Sequence, residues 1–151
     1  MEKKIGDITF STNKTLLDIP LIHAYLSQDS YWAHGIPLKI VEKAIEGSLC
    51  FGVYDDHKQI GFARVITDGA TFGYLADVFV LGDHRKKGIG KNLMEFIMEV
   101  TDGMHLRRFM LATLDAHNLY KKYGFKKIQN ARKLMEINKP DIYGDEENPC
   151  R

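Results

Sequence analysis

The chain has 151 residues, with 21 Lys and Arg against 20 Asp and Glu, for a formal net charge of +1. That length suits one domain with its own core, and the near-neutral balance gives no reason to expect a nucleic-acid partner. Two cysteines, Cys50 and Cys150, lie far apart and suggest neither a disulfide framework nor a zinc site, and the six histidines show no ligand spacing, so no metal is expected. Residues 1–7 lack the apolar segment of a signal peptide, and no run reaches transmembrane length. The expectation is a cytoplasmic protein with no membrane partner.

In chain order, residues 5–11 alternate as a strand. Residues 16–28 read as a helix with Asp18 as N-cap and Pro20 in its first turn. A polar, aromatic loop follows, with Tyr31, Trp32 and His34, and then Pro37 opens a short helix striped by Leu38, Val41 and Ile45. Residues 49–54 and 59–67 read as strands around a polar turn that includes Asp55 and Asp56, with Cys50 a core residue. Asp68-Gly69 signals a hairpin into a strand over 71–81. Residues 91–100 form a helix, with Ile89, Leu93, Phe96, Ile97 and Val100 at helical spacing, ended by Gly103. A strand over 107–114, a helix to Tyr123 capped by Asp115, and closing strands over 125–128 and 133–137 complete the pattern. Residues 1–139 read as one domain and 140–151 as a surface tail. Hairpins mixed with a crossover imply an α/β fold with a mixed sheet and helices on both faces.

The chemistry concentrates in Arg85-Lys86-Lys87-Gly88-Ile89-Gly90, a basic loop between a strand and a helix. The first turn of a helix leaves N–H groups unpaired and carries the positive end of the dipole, and glycines let those amides reach an anion, so a phosphate-bearing ligand is expected. A dinucleotide fingerprint needs glycine where Leu93 stands. A P-loop needs glycine at Arg85 and Ser or Thr at Asn92.

What remains, R-x-x-G-x-G after a strand, resembles the acyl-CoA loop of the GCN5-related N-acetyltransferase (GNAT) family. A second segment, Ala116-His117-Asn118-Leu119-Tyr120-Lys121-Lys122-Tyr123-Gly124-Phe125, resembles that family's A-x-x-L-Y-x-x-x-G-F signature. The resemblance covers roughly residues 5–138. It implies a GNAT-like fold whose mostly antiparallel sheet splays at the cofactor cleft. Acetyl-CoA would be the co-substrate, its pantetheine arm pairing with Val78, Phe79 and Val80. Arg85, Lys86, Lys87, Gly88, Ile89, Gly90 and Lys91 would hold its phosphates, and Asn118 would contact the arm. Thr113 stands where many relatives carry asparagine. Tyr120 would assist the departing thiolate, and its alternative is a core aromatic. Asp77 is either the base for the amine or a structural partner of Arg64. Tyr31, Trp32 and His34 would wall the acceptor pocket, Trp32 being alternatively a core plug. The implied activity is acetyl transfer to a primary amine of a small molecule or peptide by direct attack in a ternary complex, in a monomer or homodimer. The competing readings are a non-catalytic CoA-binding module and transfer of another acyl group.

Overall fold

The computed structural model describes residues 1–144. One six-stranded sheet, β1 (Glu2–Ile5), β2 (Ile8–Ser11), β3 (Leu49–Asp55), β4 (Lys58–Thr67), β5 (Phe72–Val80) and β6 (Arg108–Leu111), runs in sequence order. All neighbours are antiparallel except β5 and β6, which are parallel. A parallel pair needs a crossover, supplied by helix α3 (Ile89–Asp102).

The two faces of the sheet carry separate cores. Phe10, Phe51, Val53, Ala63, Val65 and Leu75 pack against α3 through Ile89, Leu93, Phe96 and Ile97. Phe96 meets Phe51 edge-on at 5.8 Å and Phe10 at 6.1 Å. On the opposite face Cys50, Phe62 and Phe79 pack under Ile22 of α1 (Ile19–Ala24) and Val41 and Ile45 of α2 (Leu38–Glu46). The mixed sheet with helices on both faces agrees with the sequence reading. Among the described residues no helix is long and apolar enough to cross a membrane.

A bulge in β5 positions the site. Arg64 pairs with Ala76 and Phe62 with Phe79, so a two-residue step on β4 faces a three-residue step on β5. The extra residue falls at Asp77, whose φ is +54°. Residues four apart on a regular strand share a face. Leu75 nevertheless joins the α3-side core and Phe79 the α1–α2 side, because the bulge turns the second half of β5 over. β6 pairs only with Phe72 to Leu75, so among the described residues 76–80 have no strand on that edge. This is the splay of the sheet.

Several expectations are corrected. The first strand is a hairpin, because Gly6 takes a φ of +59° in a two-residue turn between Ile5 and Ile8. The helix expected over 16–28 breaks into a 3₁₀ turn (Lys14–Leu16), α1 and a π-type turn (Tyr25–Asp29), with Asp18 capping α1 through the Leu21 N–H at 3.0 Å. Asp115 does not cap α4 (His117–Lys121). Its N-cap residue is Ala116, whose N–H donates to the Thr113 hydroxyl at 3.0 Å. No strand forms over 125–137: a strand needs a partner, and this segment instead sends Phe125 against Phe109 and Tyr120, turns through a 3₁₀ helix (Ala131–Lys133) and continues with exposed residues. Of the expected tail, residues 145–151 lie outside the described residues, and Tyr143 packs against the α1–α2-side core.

Tyr54 lies along β3 over Gly52, where any Cβ would overlap its ring and hydroxyl. The hydroxyl is buried with no hydrogen-bond partner among the described residues, and burial pushes its pKa up to about 12. An unpaired buried hydroxyl costs stability. Tyr54→Phe is therefore expected to leave unfolding free energy unchanged or raise it by up to about 1 kcal/mol in urea titrations. A loss of more than about 1 kcal/mol would mean that a bound water satisfies the hydroxyl.

Candidate active site

Beyond β5 the chain makes a 3₁₀ turn (Gly82–His84) and enters the basic loop. Lys86 has a φ of +62° and Gly88 of +77°, so the loop alternates in handedness before α3 and turns successive amides toward one side. Gly88 is the N-cap residue, and no side chain caps α3. A Cβ at Gly88 or Gly90 would meet nothing within 4 Å, so the space over the helix end is open to an anion. Ile89 spends its side chain in the core and has only backbone to offer here. Lys86 and Lys87 stand exposed, and Lys91 pairs with Glu95 at 3.8 Å. Arg85 is committed inward: its Nε donates to the Val80 carbonyl and its Nη2 to the Tyr25 hydroxyl, both at 2.9 Å. Tyr25 in turn stacks on Phe79 at 3.9 Å, only 11° from parallel.

The free half of β5 leads into this loop. Val78 and Val80 pack on the α3 side and Phe79, buried, on the other. α4 follows β6, the short neighbour of β5. It carries Tyr120, which is 9% exposed, and Asn118, which is exposed. The Tyr120 hydroxyl has no hydrogen-bond partner among the described residues. Burial first, then Tyr31 and Asp115, push its pKa up to about 12, so the phenol keeps its proton at neutral pH. Tyr123 ties α4 to α3 by donating to the Lys91 carbonyl at 3.0 Å.

Asp77 is held from two sides. Arg64 Nε lies 2.5 Å from one oxygen, and Trp32 Nε1 donates to the other at 2.8 Å. Arg64 Nη1 reaches the Ser48 hydroxyl at 3.1 Å, and both side chains of the ion pair are largely buried. The pairing weighed as the alternative to a catalytic base is thus present. Trp32 is 40% exposed and is no core plug. Its neighbour Tyr31 meets it edge-on at 4.9 Å and accepts from the Leu114 N–H at 3.3 Å. The aromatic loop therefore spans from the β5 bulge to the end of β6, across the splay.

Comparison with known proteins identifies the family. Residues 46–127 match the acetyltransferase (GNAT) domain family. A solved structure from Xanthomonas campestris pv. campestris, described as a putative acetyltransferase of the GNAT family, is 51% identical with a TM-score of 0.90, covering 94% of this chain and 100% of that one. A curated Gibberella zeae protein named as a putative acetyltransferase is 36% identical, covering 78% of this chain and 77% of its own. The chain belongs to the GNAT acetyltransferase family. The fold is also shared, at 16% identity and a TM-score of 0.65, with a Clostridium acetobutylicum protein crystallised with acetyl-CoA, over 87% of this chain and 96% of that one.

Within the GNAT frame, Val78, Phe79 and Val80 lie on the half of β5 beyond its pairing with β6, the loop from Arg85 to Lys91 follows them, and Asn118 and Tyr120 stand on α4 after β6. Tyr31 and Trp32 join them through Leu114 and Asp77. His34 is exposed and makes no contact that draws it in. Sequence reasoning missed Tyr25, the partner of Arg85 and Phe79. Its only signal was a place on an apolar helical stripe. It also missed His23, which lies 3.0 Å from the Ile36 carbonyl and fastens the aromatic loop to α1.

Removing Asp77 would strand the buried Arg64 charge and release Trp32. Asp77→Ala is expected to cost about 3–5 kcal/mol in urea unfolding and to shift Trp32 fluorescence toward that of a solvated indole. Unchanged stability and an unshifted spectrum would show that the clamp contributes nothing.

Proposed function

We propose that this protein transfers the acetyl group of acetyl-CoA to a primary amine of a small molecule or peptide, by direct attack within a ternary complex. The observation that carries this reading is the half-partnered β5. Its edge over 76–80 has no strand partner among the described residues, and the chain runs on through the basic loop to an uncapped helix start with open space above its glycines. An extended amide-bearing arm would pair with the strand edge while its pyrophosphate meets the amides of the loop and first turn of α3, with Lys86 and Lys87 at the rim. Acetyl-CoA in the related Clostridium structure supports that choice.

Tyr120 supplies the acid. When the neutral amine attacks the thioester carbonyl, the C–N bond forms, the C–S bond breaks and charge develops on sulfur, while water takes the proton that the nitrogen gives up and returns one to the phenolate. A phenol that is protonated at neutral pH and has no hydrogen-bond partner among the described residues can donate to that sulfur. Asp77 acts by position, since Arg64 and Trp32 occupy its oxygens, and it sets the Tyr31–Trp32 pair over the splay. The exposed aromatic faces there suit the alkyl chain and cationic head of an amine before it loses its proton. Asn118, exposed on α4, would contact the arm.

Two substitutions test cofactor binding and chemistry separately. Gly88→Asp adds a side chain at a left-handed residue and a negative charge beside the pyrophosphate, and acetyl-CoA affinity measured by calorimetry is expected to fall about tenfold or more. Wild-type affinity in the folded variant would place the phosphates elsewhere. Tyr120→Phe keeps the ring and its packing on Phe125, so acetyl-CoA affinity should hold while kcat across an amine panel drops roughly ten- to a thousand-fold. A wild-type kcat in a chemistry-limited step would leave Tyr120 as a core aromatic.

A further inference from the structure

The sheet is covered unevenly on its α1–α2 side. Val65, Leu75, Phe109 and Leu111 turn toward the core under α3. Alternation therefore sends Ile66, Tyr74, Phe72, Met110 and Arg108 to the opposite face. The helices there lie over Cys50, Phe62 and Phe79, and neither core takes in these residues. Ile66 is 42% exposed and Phe72 39%, while Tyr74 and Met110 are half-buried. Register sets Ile66 beside Tyr74 and Tyr74 beside Met110, so an apolar row crosses β4, β5 and β6. Such a row is about 10 Å wide. An apolar row left open on a sheet whose other face is sealed marks a contact surface.

The two ends of this face fix the chemistry of what it holds. One end is continuous with the site proposed for the amine. Arg64, two residues before Ile66 on the same face, holds Asp77, and Asp77 holds Trp32. At the other end Arg108 pairs in register with Phe72. Its guanidinium has no hydrogen-bond or ion-pair partner among the described residues, whereas that of Arg64 is spent on Asp77 and Ser48. The Asp68 carboxylate at the nearby hairpin is engaged by the amides of Ala70, Thr71 and Phe72 and by the Thr71 hydroxyl, and not by Arg108. Ala76, at the lip of the splay, is four residues from Phe72, about 13 Å along a strand. The Arg108 side chain spans part of that distance. Three extended residues, about 10 Å from end to end, cover the rest.

We propose that this open face binds the body of the acceptor, and that the acceptor is a short apolar peptide with a free C-terminal carboxylate. Its N-terminal amine stands at the splay beside Trp32, its side chains lie on Ile66, Tyr74 and Met110, and its carboxylate meets Arg108. Ile66 and Arg108 thereby select which amine is acetylated. The assignment of the peptide as acceptor rests on the acetyl-transfer reading above.

Binding is read from the fluorescence of Trp32, the single tryptophan, with CoA present and no turnover. Trileucine is expected to bind about tenfold or more tighter than triglycine, and about fivefold tighter than trileucine amide. Arg108→Met should erase the preference for the carboxylate and keep the preference for leucine, and Arg108→Lys should restore part of what is lost. Ile66→Gln should reduce the preference for leucine and keep that for the carboxylate. Equal affinity for the three peptides would overturn the proposal, as would an Arg108→Met protein that still prefers the carboxylate. So would a dimer on gel filtration that Ile66→Asp converts to a monomer, since the face would then belong to a second copy. With acetyl-CoA, mass spectrometry should find trileucine acetylated on its amine. Selective binding of trileucine with no acetylation of any amine would refute the transfer reading and leave the face a peptide site. Acetylation of simple amines with no preference for trileucine would refute the face and leave the transfer reading standing.

Discussion

The site depends on β5 being paired on both edges over its first half and on one edge over its second. β4 runs the full length of β5, whereas β6 stops opposite Leu75. The bulge at Asp77 falls where the second neighbour ends. A bulge raises local twist, and twist turns the outgoing half of β5 away from the line of β6. One inserted residue therefore does two jobs. It opens the sheet, and it moves a carboxylate to the face where Arg64 stands.

Opening a sheet exposes backbone and weakens the edge, so the splay has to be held. The structure holds it with side chains rather than strands. Arg64 and Trp32 grip Asp77, Tyr31 reaches the amide beyond β6, and Tyr25 and Arg85 brace the end of β5 against α1. Left-handed backbone at Asp77 and Lys86 costs energy for residues with a Cβ, on the order of 1–3 kcal/mol each. Both outliers sit within the cleft and its loop, where local strain is offset by the ion pair and by packing of α3 against the core.

The far edge of the sheet poses the same problem in another form. Among the described residues β6, four residues long, has one neighbour, and the described chain after α4 does not supply another. Short edge strands limit unwanted pairing.

Much of this was legible in the sequence because it is local. Gly88 and Gly90 between a strand and an apolar helical stripe mark the turn into α3, since tolerance of left-handed backbone, used at Gly88, belongs to the residue itself. The A-x-x-L-Y-x-x-x-G-F segment likewise carries its own helix and its positive-φ stop at Gly124. The sequence could not assign Asp77, because its role is set by which side chain the bulge brings opposite it, and the bulge exists only in the pairing of β4 with β5. Tyr25 looked like an ordinary apolar residue until the fold placed Arg85 beside it, and Trp32, expected at the acceptor wall or in the core, gained its partner only when the bulge brought Asp77 to it. The closing strands over 125–137 have the right alternation, yet alternation specifies only a face to be buried. Whether that face finds a partner is decided by the tertiary structure, because strand pairing is a contact between distant parts of the chain and carries no local signal.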